Sequence, residues 1–192
     1  MLLTGCTTRW TDTDERPRCV DPATDTVSEG LLCGLPEVDA ATLSPAQTEL
    51  WAAVQEAYDA QHPATVYSQG VVEPWCADFV SWVFNEAGHP FTNPSSGSWR
   101  IPGTFTLAEH FGSQQVFHTP DEPGFVPQLG DVVIYTKDSS VWTQHTNIVL
   151  DYDGTWLVTI GGNQPRGNVT VYRHRWDNPG LAIRGLGRPL PS

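Results

Sequence analysis

One cysteine in this chain stands where a thiol could do chemistry. Cys76 lies in EPWCADFVSW, and the apolar positions Phe79, Val80, Val83 and Ala87 follow it at three, four, seven and eleven residues. That spacing predicts a buried helix beginning at the cysteine, with Pro74 pinning its start and Gly88 ending it. Unpaired N–H groups and the helix dipole stabilise a thiolate at such a position. The same N–H groups can form half of an oxyanion hole. The plain alternative is a small buried hydrophobe, as most free cysteines are. Position alone leaves both readings open.

A cysteine nucleophile needs a histidine, and the chain has six. His62 and His89 precede prolines, and His110 and His118 fall in a loop-rich region. His174, between Arg173 and Arg175, reads as a solvated strand position. His145 enters the run TNIVL from a loop, which puts it at one end of a sheet. A two-residue turn at Asp153-Gly154 would pair His145 with Gly162 and set Asn163 diagonally beside it. Gly161 and Gly162 lack side chains, so Asn163 is expected to orient the imidazole. Its oxygen would accept Nδ1–H and leave Nε2 for the thiol proton. The competing readings are a strand-end histidine and a left-handed turn asparagine.

The other cysteines sort differently. Leu3-Thr4-Gly5-Cys6 resembles a lipobox, which makes Cys6 the expected lipidation site. The charged and apolar parts of a leader would then lie upstream of Met1. Cys19 and Cys33 bracket a polar segment and would close a disulfide in an extracytoplasmic protein, with free thiols as the alternative. No C-x-x-C is present, so zinc has little support and no metal or other cofactor is expected.

These residues need elements to hold them. Residues 1–42 are rich in Thr, Asp, Glu and Pro and read as a flexible tether, stapled if the disulfide forms; residues 43–192 read as the catalytic domain. Ser44-Pro45-Ala46-Gln47 predicts a capping box opening a helix with Leu50, Val54, Ala57 and Tyr58 on its buried side. Residues 89 to 127 read as a long aromatic loop with a short helix near Thr106–Phe111, forming a wall of a substrate groove. DVVIYT, TNIVLDY, TWLVTI and NVTVYRHRW then read as strands. Helices followed by antiparallel strands make an α+β domain. The 192 residues carry a formal charge of −12, which argues against nucleic acid and against a polybasic membrane patch. No run reaches the roughly 18 apolar residues of a membrane span.

WCADFVSW, PQLGDVVIY, QHTNIVL and LVTIGGN together resemble the CHAP family, the cysteine- and histidine-dependent amidohydrolases/peptidases of bacterial cell walls. The resemblance covers roughly residues 45 to 185. It implies a papain-like fold and hydrolysis of a peptidoglycan amide, in the stem peptide, in the cross-bridge, or between N-acetylmuramic acid and L-alanine. By motif match Cys76 is the nucleophile, His145 the base and Asn163 the orienting residue, as in Cys-His-Asn enzymes. Many relatives carry Glu where this chain has Gly161, so Asn163 would act alone. Some relatives bind calcium before the cysteine; only Glu73 is acidic there, and calcium is not carried over. Trp75, Asp78 and Trp99 are expected to touch substrate, with a helix-end charge as the other reading of Asp78. Asp131 reads as structural. The implied protein is a monomer of the cell envelope, secreted or lipid-anchored, that meets the membrane only through Cys6. The alternatives are a catalytically silent lipoprotein that binds wall peptides and a transpeptidase or transamidase using the same cysteine.

Overall fold

A computed structural model describes residues 19–141 and 144–191, apart from the side chain of Arg166. Four α-helices are described: α1 (Pro45–Ala60), α2 (Ala64–Tyr67), α3 (Cys76–Glu86) and α4 (Thr104–Ser113). Seven strands accompany them: β1 (Gly30–Leu31), β2 (Phe117–His118), β3 (Val132–Tyr135), β4 (Thr146–Tyr152), β5 (Trp156–Gln164), β6 (Asn168–Arg175) and β7 (Ile183–Gly187). They form one antiparallel sheet in the order β1-β6-β5-β4-β3-β7-β2. This is the expected α+β, papain-like arrangement.

Strand alternation divides the core. Val132, Ile134, Ile148, Val158, Ile160 and Val171 face the helices, where they meet Leu50, Val54, Phe79, Val80 and Val83. Val133, Tyr135, Val149, Leu157 and Leu186 form a second apolar layer, which Leu181 and half-buried Phe125 and Trp176 cover. α1 begins with the predicted box: Ser44 caps the Gln47 N–H and the Gln47 side chain returns to Ser44. α3 is buried continuously from Cys76 to Phe84. Asp131 is fully enclosed and accepts two bonds from Arg188, at 2.9 and 2.7 Å.

The expected hairpin turn changes. The Asp153-Gly154 hairpin pairs Tyr152 with Leu157, and Asp153 N–H donates to Trp156 at 3.3 Å, so Gly154 and Thr155 form the turn. The Asp153 carboxylate fixes this choice by accepting from the N–H groups of Thr155 and Trp156 at 2.8 and 2.7 Å. A bulge between Val149 and Asp151 then sets Ile148 opposite Ile160. Carried one step further, Asn147 stands opposite Gly161.

Part of the segment before residue 43 also joins the sheet. Cys19 and Cys33 are disulfide-bonded. β1 pairs with β6, and Leu31 and Leu32 are buried. This strand protects the sheet edge. It also explains why His174 is not solvated: Glu29 lies 2.9 Å from its Nδ1, and Arg173 donates to the carbonyls of Ser28 and Asp25, both at 2.8 Å.

Candidate active site

Cys76 is the first residue of α3, and no side chain caps that helix end. The backbone N–H groups of Thr146, Ala77 and Cys76 itself act to lower the pKa of its thiol. Thr146 opens β4 directly after His145, so packing α3 on β4 brings the thiol to the head of that strand. Burial wins over the helix end: the thiol is only 5% exposed. Burial pushes its pKa up to about 11, the three N–H groups oppose this, and the Asp78 charge adds to the rise.

Gln144, at φ 51°, turns the chain into His145. The imidazole lies at 6% residue exposure with its ring stacked 6.4 Å from Tyr135. Burial lowers its pKa to about 4, against the raising effect of an imidazole N–H directed to Asn147. Thiol and imidazole are therefore both neutral near pH 7.

The expected orienting residue is Asn163. It is exposed and left-handed at φ 54°. A left-handed residue breaks strand alternation, and the β5–β6 register shifts between Gly161 and Gln164. The inward position passes to Gln164, which is 3% exposed, with Nε2 standing 3.2 Å from Nε2 of His145. The ring nitrogen that faces the amide is thus Nε2, the reverse of the expected Nδ1. Sequence reasoning missed Gln164. The available signal was the turn-like reading of Asn163 after two glycines, which moves the next side chain inward.

The expected substrate contacts are largely enclosed. Trp75 is buried and stacks on Tyr67 at 4.9 Å with the rings 4° apart; Trp82 meets the same tyrosine edge-on at 5.2 Å. Trp75 also occupies the space that a side chain at Gly162 would need. Asp78 is buried beneath Arg100, whose Nε lies 2.7 Å away. Trp99 is half-buried against the main core. Cys6 lies outside the described residues. Among the described residues no group of three or more His, Cys, Asp or Glu could hold a metal. No described helix is long and apolar enough to cross a membrane.

A cysteine leading a buried helix, set against a histidine at the head of an antiparallel strand, defines the papain-like class of α+β folds. Within that class, the family model described as the CHAP domain matches residues 66–163, and the chain belongs to this family. Membership implies, in general terms, amidohydrolase or peptidase activity on peptidoglycan. No curated protein and no solved structure matches the chain.

Proposed function

We propose that the protein hydrolyses an amide of peptidoglycan, with Cys76 as nucleophile and His145 as the group that takes and returns its proton. The observation that carries this reading is that, inside the span that matches the family, Cys76 opens the buried helix α3 while His145 directly precedes β4, whose Thr146 N–H acts to lower the thiol pKa. Both groups rest neutral, so proton transfer accompanies attack and no ion pair is stored beforehand. Gln164 faces Nε2, which leaves the exchange with sulfur to Nδ1.

In the first half, the S–C bond forms as the thiol proton passes to His145. The uncapped N–H groups opening α3 stabilise the oxyanion. The C–N bond then breaks as His145 gives that proton to the leaving amine, leaving a thioester. In the second half, water gives a proton to His145 and adds to the carbonyl. The C–S bond breaks, and the departing sulfur recovers the proton. The bond is an endopeptidase target in the stem or cross-bridge, or the N-acetylmuramoyl–L-alanine amide. The disulfide supports an extracytoplasmic setting, because such bonds persist in oxidising compartments. A lipid on Cys6 would anchor a monomer to the envelope.

One observation favours a second reading, a silent binder of wall peptides: the Cys76 thiol is buried, and burial pushes its pKa up to about 11. Digestion of purified peptidoglycan, followed by product masses, separates the two. Wild type should release fragments with a new amine and a new carboxyl terminus, and Cys76→Ser and His145→Ala should release none. Undiminished release by Cys76→Ser would overturn the nucleophile assignment, and no release by wild type would favour the binder.

A further inference from the structure

The polar side chains around His145 form a chain with an unusual property. Gln164 Nε2 stands 3.2 Å from His145 Nε2 and 2.8 Å from Asn147 Oδ1. Asn147 Nδ2 donates to Thr159 Oγ1 at 3.0 Å, and Thr170 Oγ1 meets Gln164 Oε1. All four partners are buried. They come from β4, β5 and β6, so only the assembled sheet unites them. Gly161 provides the room: a Cβ there would overlap both the Asn147 and the Gln164 amides. Gln164 itself lies one residue beyond the span that matches the family.

An amide has one donating end and one accepting end, whereas a hydroxyl can do either. Here two amides in series end in a hydroxyl on each side. In one setting Gln164 donates to Nε2 of His145, so a neutral ring carries its proton on Nδ1. That form cannot take a proton from the thiol at Nδ1. With both amides turned over, every bond is still made. Thr159 then donates to Asn147, Asn147 donates to Gln164 Oε1, and Gln164 Nε2 donates to Thr170. Gln164 Oε1 now also accepts Nε2–H, and the lone pair moves to Nδ1.

We infer that Gln164 is the positioning residue of His145, and that the Gln164–Asn147 amide pair turns over to exchange which ring nitrogen holds the proton. The inference rests on the reading of His145 as the partner of Cys76. The titratable side chains near the ring among the described residues are Tyr135 on β3 and, across Thr146, Cys76 on α3. Neither amide is charged, so the device acts by hydrogen-bond direction alone.

Long-range 1H–15N spectra of the labelled protein at pH 7 report the tautomer of His145. In the unmutated protein both ring nitrogens should resonate between the pure-tautomer values. Gln164→Glu offers only acceptors and should shift the ring to Nε2–H or to the doubly protonated form. The same variant should speed alkylation of Cys76 by iodoacetamide at pH 6 about ten-fold, read on the Cys76 peptide by mass. Asn163→Ala should leave both readouts at wild-type values. A single fixed tautomer in the unmutated protein overturns the inference, and so does a Gln164→Glu spectrum identical to wild type. If Gln164→Glu fails to fold, the unmutated spectrum decides by itself. None of these measurements uses peptidoglycan, so failure to digest the wall would sink the functional reading while leaving this one standing.

Discussion

Arg100 Nε lies 2.7 Å from Asp78 Oδ1, and its Nη2 reaches Glu73, so one guanidinium ties residues on both sides of Cys76 to the 89 to 127 loop. Ile101 adds a second tie through Ser81 Oγ at 3.1 Å. The loop is therefore fastened to α3. Burial raises the Asp78 pKa to about 7, while the adjacent guanidinium favours the ionised form.

Arg100→Ala should destabilise the fold by ~3 kcal/mol, because it leaves a buried carboxylate without its cation. Urea unfolding measures this. Arg100→Lys should restore less than half of the loss, since a single ammonium lacks the planar fork that reaches Glu73 and Asp78 together. Full recovery by lysine would show that charge alone matters.

Gly161→Ala and Gly162→Ala should fail for different reasons. At 161 a methyl group displaces the Asn147 and Gln164 amides, and at 162 it meets the Trp75 ring and Phe79. Each should cost about 1–3 kcal/mol by overpacking. Gly161→Ala should also slow wall digestion at temperatures where the variant stays folded. Gly161→Glu, which supplies the acid many relatives carry, should not improve the rate, because Gln164 already fills that space.

The His145 shift has a definite sign. Its folded pKa, about 4, lies below the ordinary histidine value of 6.5, so the unfolded chain binds more protons between those pH values. Stability from this group is full above pH 6.5 and falls as pH drops toward 4. The stability difference between wild type and His145→Asn should therefore change across that window, and a flat difference would contradict it. Digestion should likewise persist to about pH 4 before protonation of His145 halts it.

Reducing the Cys19–Cys33 bond should cost about 3 kcal/mol through the freedom regained by the unfolded chain. It should also loosen β1 from β6. Hydrogen exchange should then show faster exchange at Leu31 and Tyr172, with the amides of α3 unchanged. Uniform loosening of the whole chain would contradict this local reading.

What was legible in the sequence was local. The Ser44 box, the stripe from Cys76 to Ala87 and the run 146–152 each follow from short-range periodicity, and each stands where it was expected. The motifs also put a cysteine at the head of a helix and a histidine at the head of a strand, where the structure has them. The inward side chain beside the histidine was not legible. One left-handed residue at Asn163 and one bulge after Val149 reversed which side chain points inward, and a period of two cannot foresee either. Burial was also hidden. Asp78, Trp75 and His174 read as polar or groove-lining until Arg100, Tyr67 and Glu29, distant in the chain, folded over them. The protonation of the site depends on that enclosure, because the cost of a charge is set by everything packed around it.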